Sequence, residues 1–136
     1  MDNNVSSVYI HIPFCEDICS YCDFCKYYYN SDLVDKYLVA LKQEIINKYN
    51  GEIIKTIYIG GGNTYKLLKD IKENNCFDKI KKYIDNDGIV FGGSAGAIIF
   101  GKDIDTCKYE DDNSIIDLKD TKGFNALSEY SLLCHY

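Results

Sequence analysis

The sequence feature that most constrains the fold is a run of three glycines that follows a strongly apolar segment. Residues 53–59 are rich in isoleucine, and glycines 60–62 follow them directly before Asn63 and Thr64. A β-branched run of this kind predicts a buried strand, and the glycines predict a tight turn into a helix. Bare glycine backbone at a strand-to-helix turn lets a bound group approach closely, so we expect a functional site here.

Composition excludes several classes of protein. The chain has 136 residues, of which 46% are hydrophobic, and this predicts one globular domain with a core. Its net charge is −6 and it contains no arginine, so nucleic-acid binding is not expected. It shows neither an apolar run long enough for a membrane nor a signal peptide, which predicts a cytoplasmic protein. Seven cysteines in that compartment indicate metal binding, redox chemistry or burial rather than disulfides.

Hydrophobic periodicity predicts strands alternating with helices. Strands are predicted at 8–12, 53–59 and 89–91, and helices from a cap at Ser31 or Asp32 to Gly51, then at 67–71, 77–84 and 97–100. Shorter strands are predicted near 104–108, 114–118 and 131–133. The crossover helix predicts that the first two strands pair in parallel. We therefore expect an α/β fold, a three-layer fragment with helices on both faces of a parallel sheet.

Three closely spaced cysteines form the first chemical motif. Cys15, Cys19 and Cys22 follow the predicted first strand with the spacing C-x3-C-x2-C. Three thiolates on one loop can bind three irons of a [4Fe–4S] cluster and leave the fourth iron open to another ligand. A cysteine-rich loop without a metal is the alternative, and Cys25 has no ligand role in this pattern.

The residues around these cysteines carry a family resemblance. Residues 9–14, Tyr-Ile-His-Ile-Pro-Phe, and residues 20–24, Ser-Tyr-Cys-Asp-Phe, resemble the radical S-adenosylmethionine enzymes of the oxygen-independent coproporphyrinogen oxidase and haem-chaperone type. The resemblance covers residues 1–62 and implies two βα units of a partial barrel. It implies a [4Fe–4S] cluster and S-adenosylmethionine as cofactors. It also implies that the cofactor is contacted by Tyr21, Gly60, Gly61 and Gly62.

The second chemical motif is Gly92-Gly93-Ser94-Ala95-Gly96, a G-x-S-x-G pattern between a predicted strand and a predicted helix. In a nucleophile elbow the glycines permit a sharp turn that exposes the serine hydroxyl. A glycine-rich structural turn is the alternative interpretation.

This motif carries the second family resemblance. Together with Gly61-Gly62-Asn63-Thr64 and the terminal His135-Tyr136, it resembles the dipeptidase E and cyanophycinase type of serine peptidase, which has a class I glutamine amidotransferase-like fold. The resemblance covers residues 61–136. It implies small peptides that end in an acidic residue as substrates, and no cofactor for this half of the chain.

The same resemblance implies roles for individual residues. Ser94 matches the nucleophile and His135 the general base, with Asp112 or Asp111 as the acid that orients the imidazole. The N–H groups of Gly62 and Ala95 match an oxyanion hole. The family usually has proline where Cys134 stands. Because only Tyr136 follows His135 here, we expect the base to be loosely held and Ser94 to be poorly activated.

Both resemblances include the glycine turn at residues 60–62. We therefore interpret the chain as a chimera of segments 1–62 and 61–136 that form one compact unit. Three functional interpretations stay open: a residual serine hydrolase, a radical S-adenosylmethionine iron–sulfur protein, and an inactive recombinant fragment.

Overall fold

The computed structural model describes residues 7–15, 18, 20, 23 and 25–134 of the chain. Its elements are β1 (Phe14–Cys15), β2 (Tyr27–Tyr28), α1 (Ser31–Lys48), β3 (Thr56–Ile59), α2 (Thr64–Glu73), α3 (Phe77–Asp85), β4 (Ile89–Gly92), α4 (Ala95–Ile98) and a 3-10 helix (Asp105–Tyr109). Among these helices none combines the length and the apolarity that a membrane crossing requires.

The contacts within the chain define two compact units where the sequence predicts one. The first unit is Met1–Ile54 and the second is Lys55–Tyr136. Strand β3 belongs wholly to the second unit, so the division precedes the glycine turn. The boundary at the glycine turn between the two predicted segments, 1–62 and 61–136, stays a prediction.

The first unit is built from one long helix and a short strand pair. Strands β1 and β2 are parallel, with Phe14 opposite Tyr27. Helix α1 is capped by Asn30, one residue before the predicted cap, because the Asn30 Oδ1 atom accepts a hydrogen bond from the Leu33 N–H at 3.0 Å. None of the residues in α1 is buried.

The predicted strand at 8–12 is wrong. Residues 7–13 have no regular secondary structure, and strand pairing begins only at Phe14. A strand needs a neighbour for its backbone N–H and C=O groups. In the described part of this unit, the strand Tyr27–Tyr28 pairs with Phe14–Cys15 and not with residues 8–12. Residues 8–12 therefore supply no strand for the predicted parallel pair.

The second unit contains the parallel pair that places the candidate site. Strands β3 and β4 pair in parallel from Thr56 opposite Ile89 to Ile59 opposite Gly92. Helices α2 and α3 connect the two strands, and the short helix α4 packs against both strands and α2. The predicted helices after the glycine turn are confirmed, although α4 begins two residues earlier than expected. The α/β class with parallel strands is likewise confirmed.

A single apolar core holds the second unit together. Its completely buried side chains are Leu68, Ile98, Ile99, Ile104, Cys107 and Phe124. The Phe124 ring stacks on Phe77 with a centroid distance of 4.5 Å and lies 5.7 Å from Phe100. Burying one large apolar side chain contributes about 1.5–3 kcal/mol, so this cluster stabilises the elements that surround the glycine turn.

The three short strands predicted after residue 103 are wrong. Residues 105–109 form the 3-10 helix, and the described strand pairing in this region is one isolated antiparallel bridge between Asp103 and Lys122. Ile104 and Cys107 are both buried and three residues apart, which suits the period of a 3-10 turn rather than a strand. Near 114–118 the side chain of Asn113 accepts a hydrogen bond from the Leu118 N–H at 2.9 Å, which closes a turn.

A buried tyrosine and a buried cysteine make the second unit sensitive to alkali. Burial raises the pKa of Tyr65 to about 12, helped by a hydrogen bond with Cys107 and by the negative charges of Asp105 and Asp111. Burial also raises the pKa of the Cys107 thiol. Both groups stay protonated in the folded protein at a pH where they ionise in the unfolded chain.

We therefore predict that the contribution of these two groups to the free energy of unfolding is constant below about pH 8 and falls as the pH rises from there to about 12, since the unfolded thiol and phenol ionise near pH 8.5 and 10. Urea unfolding at a series of pH values measures this. Tyr65→Phe should make the decline above pH 10 shallower, whereas Tyr130→Phe, at a tyrosine that is 74% exposed, should not. An equally steep decline in Tyr65→Phe would contradict the prediction.

Candidate active site

Ser94 lies in a strained turn between β4 and α4. Its backbone angles are φ 51° and ψ −117°, and its side chain makes no capping hydrogen bond to α4. Residues other than glycine adopt a positive φ only rarely, and such strain is concentrated at functional sites. Strain at a strand-to-helix turn is the geometry of a nucleophile elbow, which turns the serine hydroxyl outward.

The glycines of the G-x-S-x-G motif make this turn possible. A Cβ atom on Gly96 would lie 2.0 Å from the Ile59 carbonyl oxygen. A Cβ atom on Gly92 would lie 2.2 Å from the Gly96 carbonyl oxygen. Both obstacles are backbone atoms, so no side chain fits at either position. The motif is thus required by the packing of α4 on the end of β3.

The three-glycine turn lies directly beside Ser94. A Cβ atom on Gly61 would be 3.2 Å from the Ser94 Cβ atom and 3.7 Å from its hydroxyl oxygen. The Gly93 N–H donates to the Ile59 carbonyl at 3.0 Å and ties the two turns together. Gly62 has a φ of 127°, which favours glycine. Among the described backbone hydrogen bonds, neither Gly62 nor Ala95 donates its N–H to a carbonyl.

Both candidate acids are held close to the same turn. The Asp111 carboxylate accepts a hydrogen bond from the Thr64 N–H at 2.8 Å. The Asp112 carbonyl oxygen accepts one from the Asn63 side-chain amide at 3.2 Å. The Ser114 backbone N–H and hydroxyl both donate to the Asp112 carboxylate, which lowers the pKa of Asp112. The structure therefore brings the acidic loop and the glycine turn together.

The end of the described chain returns to the elbow. The Cys134 thiol is half-buried and donates to the Ser94 carbonyl oxygen at 3.6 Å. His135, the predicted base, follows Cys134 and lies outside the described residues. Sequence reasoning assigned no role to Cys134, although its place where proline is usual was a signal.

The predicted iron–sulfur loop is described only in part. Cys15 is half-buried in β1, while Cys19, Cys22 and Tyr21 lie outside the described residues. Within the described ranges no group of three or more histidine, cysteine or acidic side chains is arranged to bind a metal. Three thiolates fit the donor set of an iron–sulfur cluster, but the structure tests the position of Cys15 alone.

The fold and the elbow define a class: an α/β protein with a serine in a strained strand-to-helix turn beside a second, glycine-rich turn. A family model described as peptidase family S51 matches residues 38–136. The chain therefore belongs to peptidase family S51. This match begins within α1, ahead of the predicted junction at the glycines.

Two individual comparisons agree with this family. The chain is similar to a solved structure, a putative peptidase E protein from Listeria monocytogenes EGD-e, with a TM-score of 0.56 and 26% identity, covering 77% of this chain and 57% of that one. It is also 39% identical over 80 residues to peptidase E of Haemophilus influenzae strain PittGG, covering 54% of this chain and 34% of the relative.

A third comparison finds similarity to a protein that is not described as a peptidase. The chain is 54% identical over 69 residues to the heme chaperone HemW of Bacillus subtilis strain 168, covering 48% of this chain and 18% of the relative. The chain thus spans about a third or less of the length of these curated relatives. Partial likenesses to two unrelated families confirm both predicted resemblances and are consistent with a chimera.

Proposed function

We propose that the second unit carries a residual serine hydrolase site of the peptidase E type, with Ser94 as the nucleophile. The strained backbone of Ser94, with its φ of 51°, is the observation that carries this proposal. Membership of family S51 supports it. The proposed substrates are small peptides that end in an acidic residue. For this unit we further propose a three-layer fold, in which helices cover both faces of a parallel sheet.

The two glycine-containing turns supply the proposed oxyanion hole. In the proposed reaction the Ser94 hydroxyl attacks the peptide carbonyl carbon and gives its proton to His135. The negative oxygen of the tetrahedral intermediate then accepts hydrogen bonds from the N–H groups of Gly62 and Ala95. Protonated His135 returns the proton to the leaving amine, and water hydrolyses the acyl-serine. The closeness of Gly61 to the Ser94 hydroxyl supports this assignment.

The proposed base is supported by the position of its neighbour. Cys134, which precedes His135 in the sequence, contacts the Ser94 carbonyl oxygen. Asp112 or Asp111 is proposed to orient the imidazole. Asp112 is anchored by Ser114 and its lowered pKa keeps it ionised, while Asp111 already binds the Thr64 N–H through one carboxylate oxygen.

A fluorophosphonate probe on the full chain tests this function. We expect one adduct per chain, and its rate of formation should rise with pH as the proposed histidine base loses its proton. His135→Ala should slow labelling by about a hundredfold or more, the usual contribution of a general base. Ser31→Ala, at an exposed serine in α1, is the matched control and should label normally. Equal rates in His135→Ala and the unmodified chain would overturn the proposed base.

A second candidate function is favoured by the HemW comparison. We propose that Cys15, Cys19 and Cys22 can bind a [4Fe–4S] cluster, and that Tyr21 and glycines 60–62 contact S-adenosylmethionine. Such a cluster would supply electrons to the bound cofactor. The partial barrel expected for segment 1–62 belongs to this proposal. Because Gly61 already lies against Ser94, the cofactor and a peptide would compete for the same turn.

Anaerobic reconstitution with iron and sulfide gives a prediction for this second function. We expect about four irons per chain and a brown absorbance that is lost in air, because a cluster needs a shell that excludes solvent. Cys19→Ala should abolish the absorbance, whereas Cys25→Ala, at an exposed cysteine outside the motif, should retain it. Equal loss of iron in both variants would contradict the assignment. An inactive fragment would show neither the cluster nor the serine adduct.

A further inference from the structure

The residues before Cys134 are held by hydrogen bonds to residues 102–106 of the second unit. We call residues 130–134 the docked segment. The Lys102 N–H donates to the Tyr130 carbonyl at 2.9 Å. The Ser131 hydroxyl donates to the Asp103 carboxylate at 2.8 Å. The Thr106 hydroxyl donates to the Leu132 carbonyl. Successive residues of the segment are therefore held before it reaches the elbow.

Cys134 is the contact between the docked segment and the nucleophile. It packs against the apolar core, and its thiol donates to the Ser94 carbonyl oxygen at 3.6 Å. The same oxygen accepts hydrogen bonds from the N–H groups of Ala97 at 2.8 Å and Ile98 at 3.0 Å. A thiol is a weak donor, so the contact acts through packing as well as through the bond. The Ser94 carbonyl oxygen thus accepts hydrogen bonds both from α4 and from the docked segment.

We propose that Cys134 is a positioning residue for the hydrolase site, an inference that rests on the proposed function. The thiol acts through the backbone of Ser94: its contact with the Ser94 carbonyl oxygen holds the strained turn that presents the nucleophile. Proline, which the family resemblance places at this position, has no side-chain donor and could not make the contact. The thiol therefore makes a contact in this chain that a proline at this position would lack.

The rate of fluorophosphonate labelling of Ser94, measured against pH, tests this inference. Cys134→Ala should slow labelling about tenfold, the kinetic equivalent of one lost hydrogen bond, without moving the midpoint of the pH profile. Cys134→Ser restores a small donor and should label within about threefold of the unmodified chain. Cys76→Ala is the matched control, because the Cys76 thiol also donates to a carbonyl, that of Asn74 at 3.5 Å.

A reversible modification of the thiol gives an independent measurement. Methyl methanethiosulfonate should slow labelling of the unmodified chain, dithiothreitol should restore it, and Cys134→Ser should be insensitive to both. Labelling of Cys134→Ala at the unmodified rate, or equal slowing in Cys76→Ala, would overturn the inference alone. The absence of any adduct on Ser94 of the unmodified chain would overturn the proposed function and this inference with it.

Discussion

Ser94→Gly is expected to abolish fluorophosphonate labelling while raising the free energy of unfolding by about 1 kcal/mol. The backbone of Ser94, with a φ of 51°, suits glycine better than serine. Removing the side chain therefore relieves strain and removes the nucleophile in the same step. Proteins often retain such strain only where function requires it. Labelling monitored by intact mass and unfolding in urea measure the two effects.

Ser128→Gly is the matched control for this prediction. Ser128 is exposed and also has a φ of 51°, but it lies outside the elbow. We expect the same or a smaller gain in stability and an unchanged rate of labelling. Labelling that persists in Ser94→Gly, or that disappears in Ser128→Gly, would contradict a nucleophilic role that is specific to Ser94.

Gly96→Ala is expected to lower the free energy of unfolding of the second unit by about 3 kcal/mol, near the upper end of the range for overpacked sites. The added Cβ atom would meet the Ile59 carbonyl oxygen at 2.0 Å and the Gly60 carbonyl oxygen at 2.6 Å. Both are backbone atoms, so α4 must move away from β3. A fall of more than about 10 °C in the melting temperature should accompany the change.

Gly60→Ala provides the control within the same turn. Its nearest obstacle is a side-chain atom of Tyr58 at 3.9 Å, and its φ is not positive. We expect a change of less than about 0.5 kcal/mol, as for an open surface position. Equal destabilisation by Gly60→Ala and Gly96→Ala would show that the close packing of α4 on β3 is not what requires glycine.

Elements with local determinants could be predicted from the sequence. The elbow needs only a strand, the two glycines around Ser94 and a following helix, and all of them are contiguous. Helices α2 and α3 carry their own apolar periodicity, and Asn63 caps α2 through a hydrogen bond from the Lys66 N–H at 2.9 Å. These predictions succeeded because neighbouring residues decide the backbone.

Elements that depend on distant partners were predicted wrongly. The apolar segment 8–12 has the composition of a strand, but its pairing depends on which chain segment lies beside it. In the segment 104–108 the buried apolar side chains, Ile104 and Cys107, are three residues apart, a spacing that suits a 3-10 turn and not a strand. The contact between Cys134 and Ser94 joins residues 40 positions apart and could not be inferred from local patterns.

We propose the glycine turn as the place where the two resemblances join in this chain. Both predicted resemblances include a strand, a glycine turn and a helix, and β3 and α2 flank the turn in this chain. In the structure the turn contacts Ser94 through Gly61, so it belongs geometrically to the serine site. We therefore expect the hydrolase chemistry to depend on Gly61 and Gly62.

A crystal structure of the chain after reaction with a fluorophosphonate would show directly whether Ser94 is the nucleophile of this site. We expect a phosphonyl group bonded to the Ser94 hydroxyl oxygen, with its free oxygen about 2.7–3.1 Å from the backbone nitrogens of Gly62 and Ala95. An adduct on any other residue, or a phosphonyl oxygen that points away from both nitrogens, would contradict it.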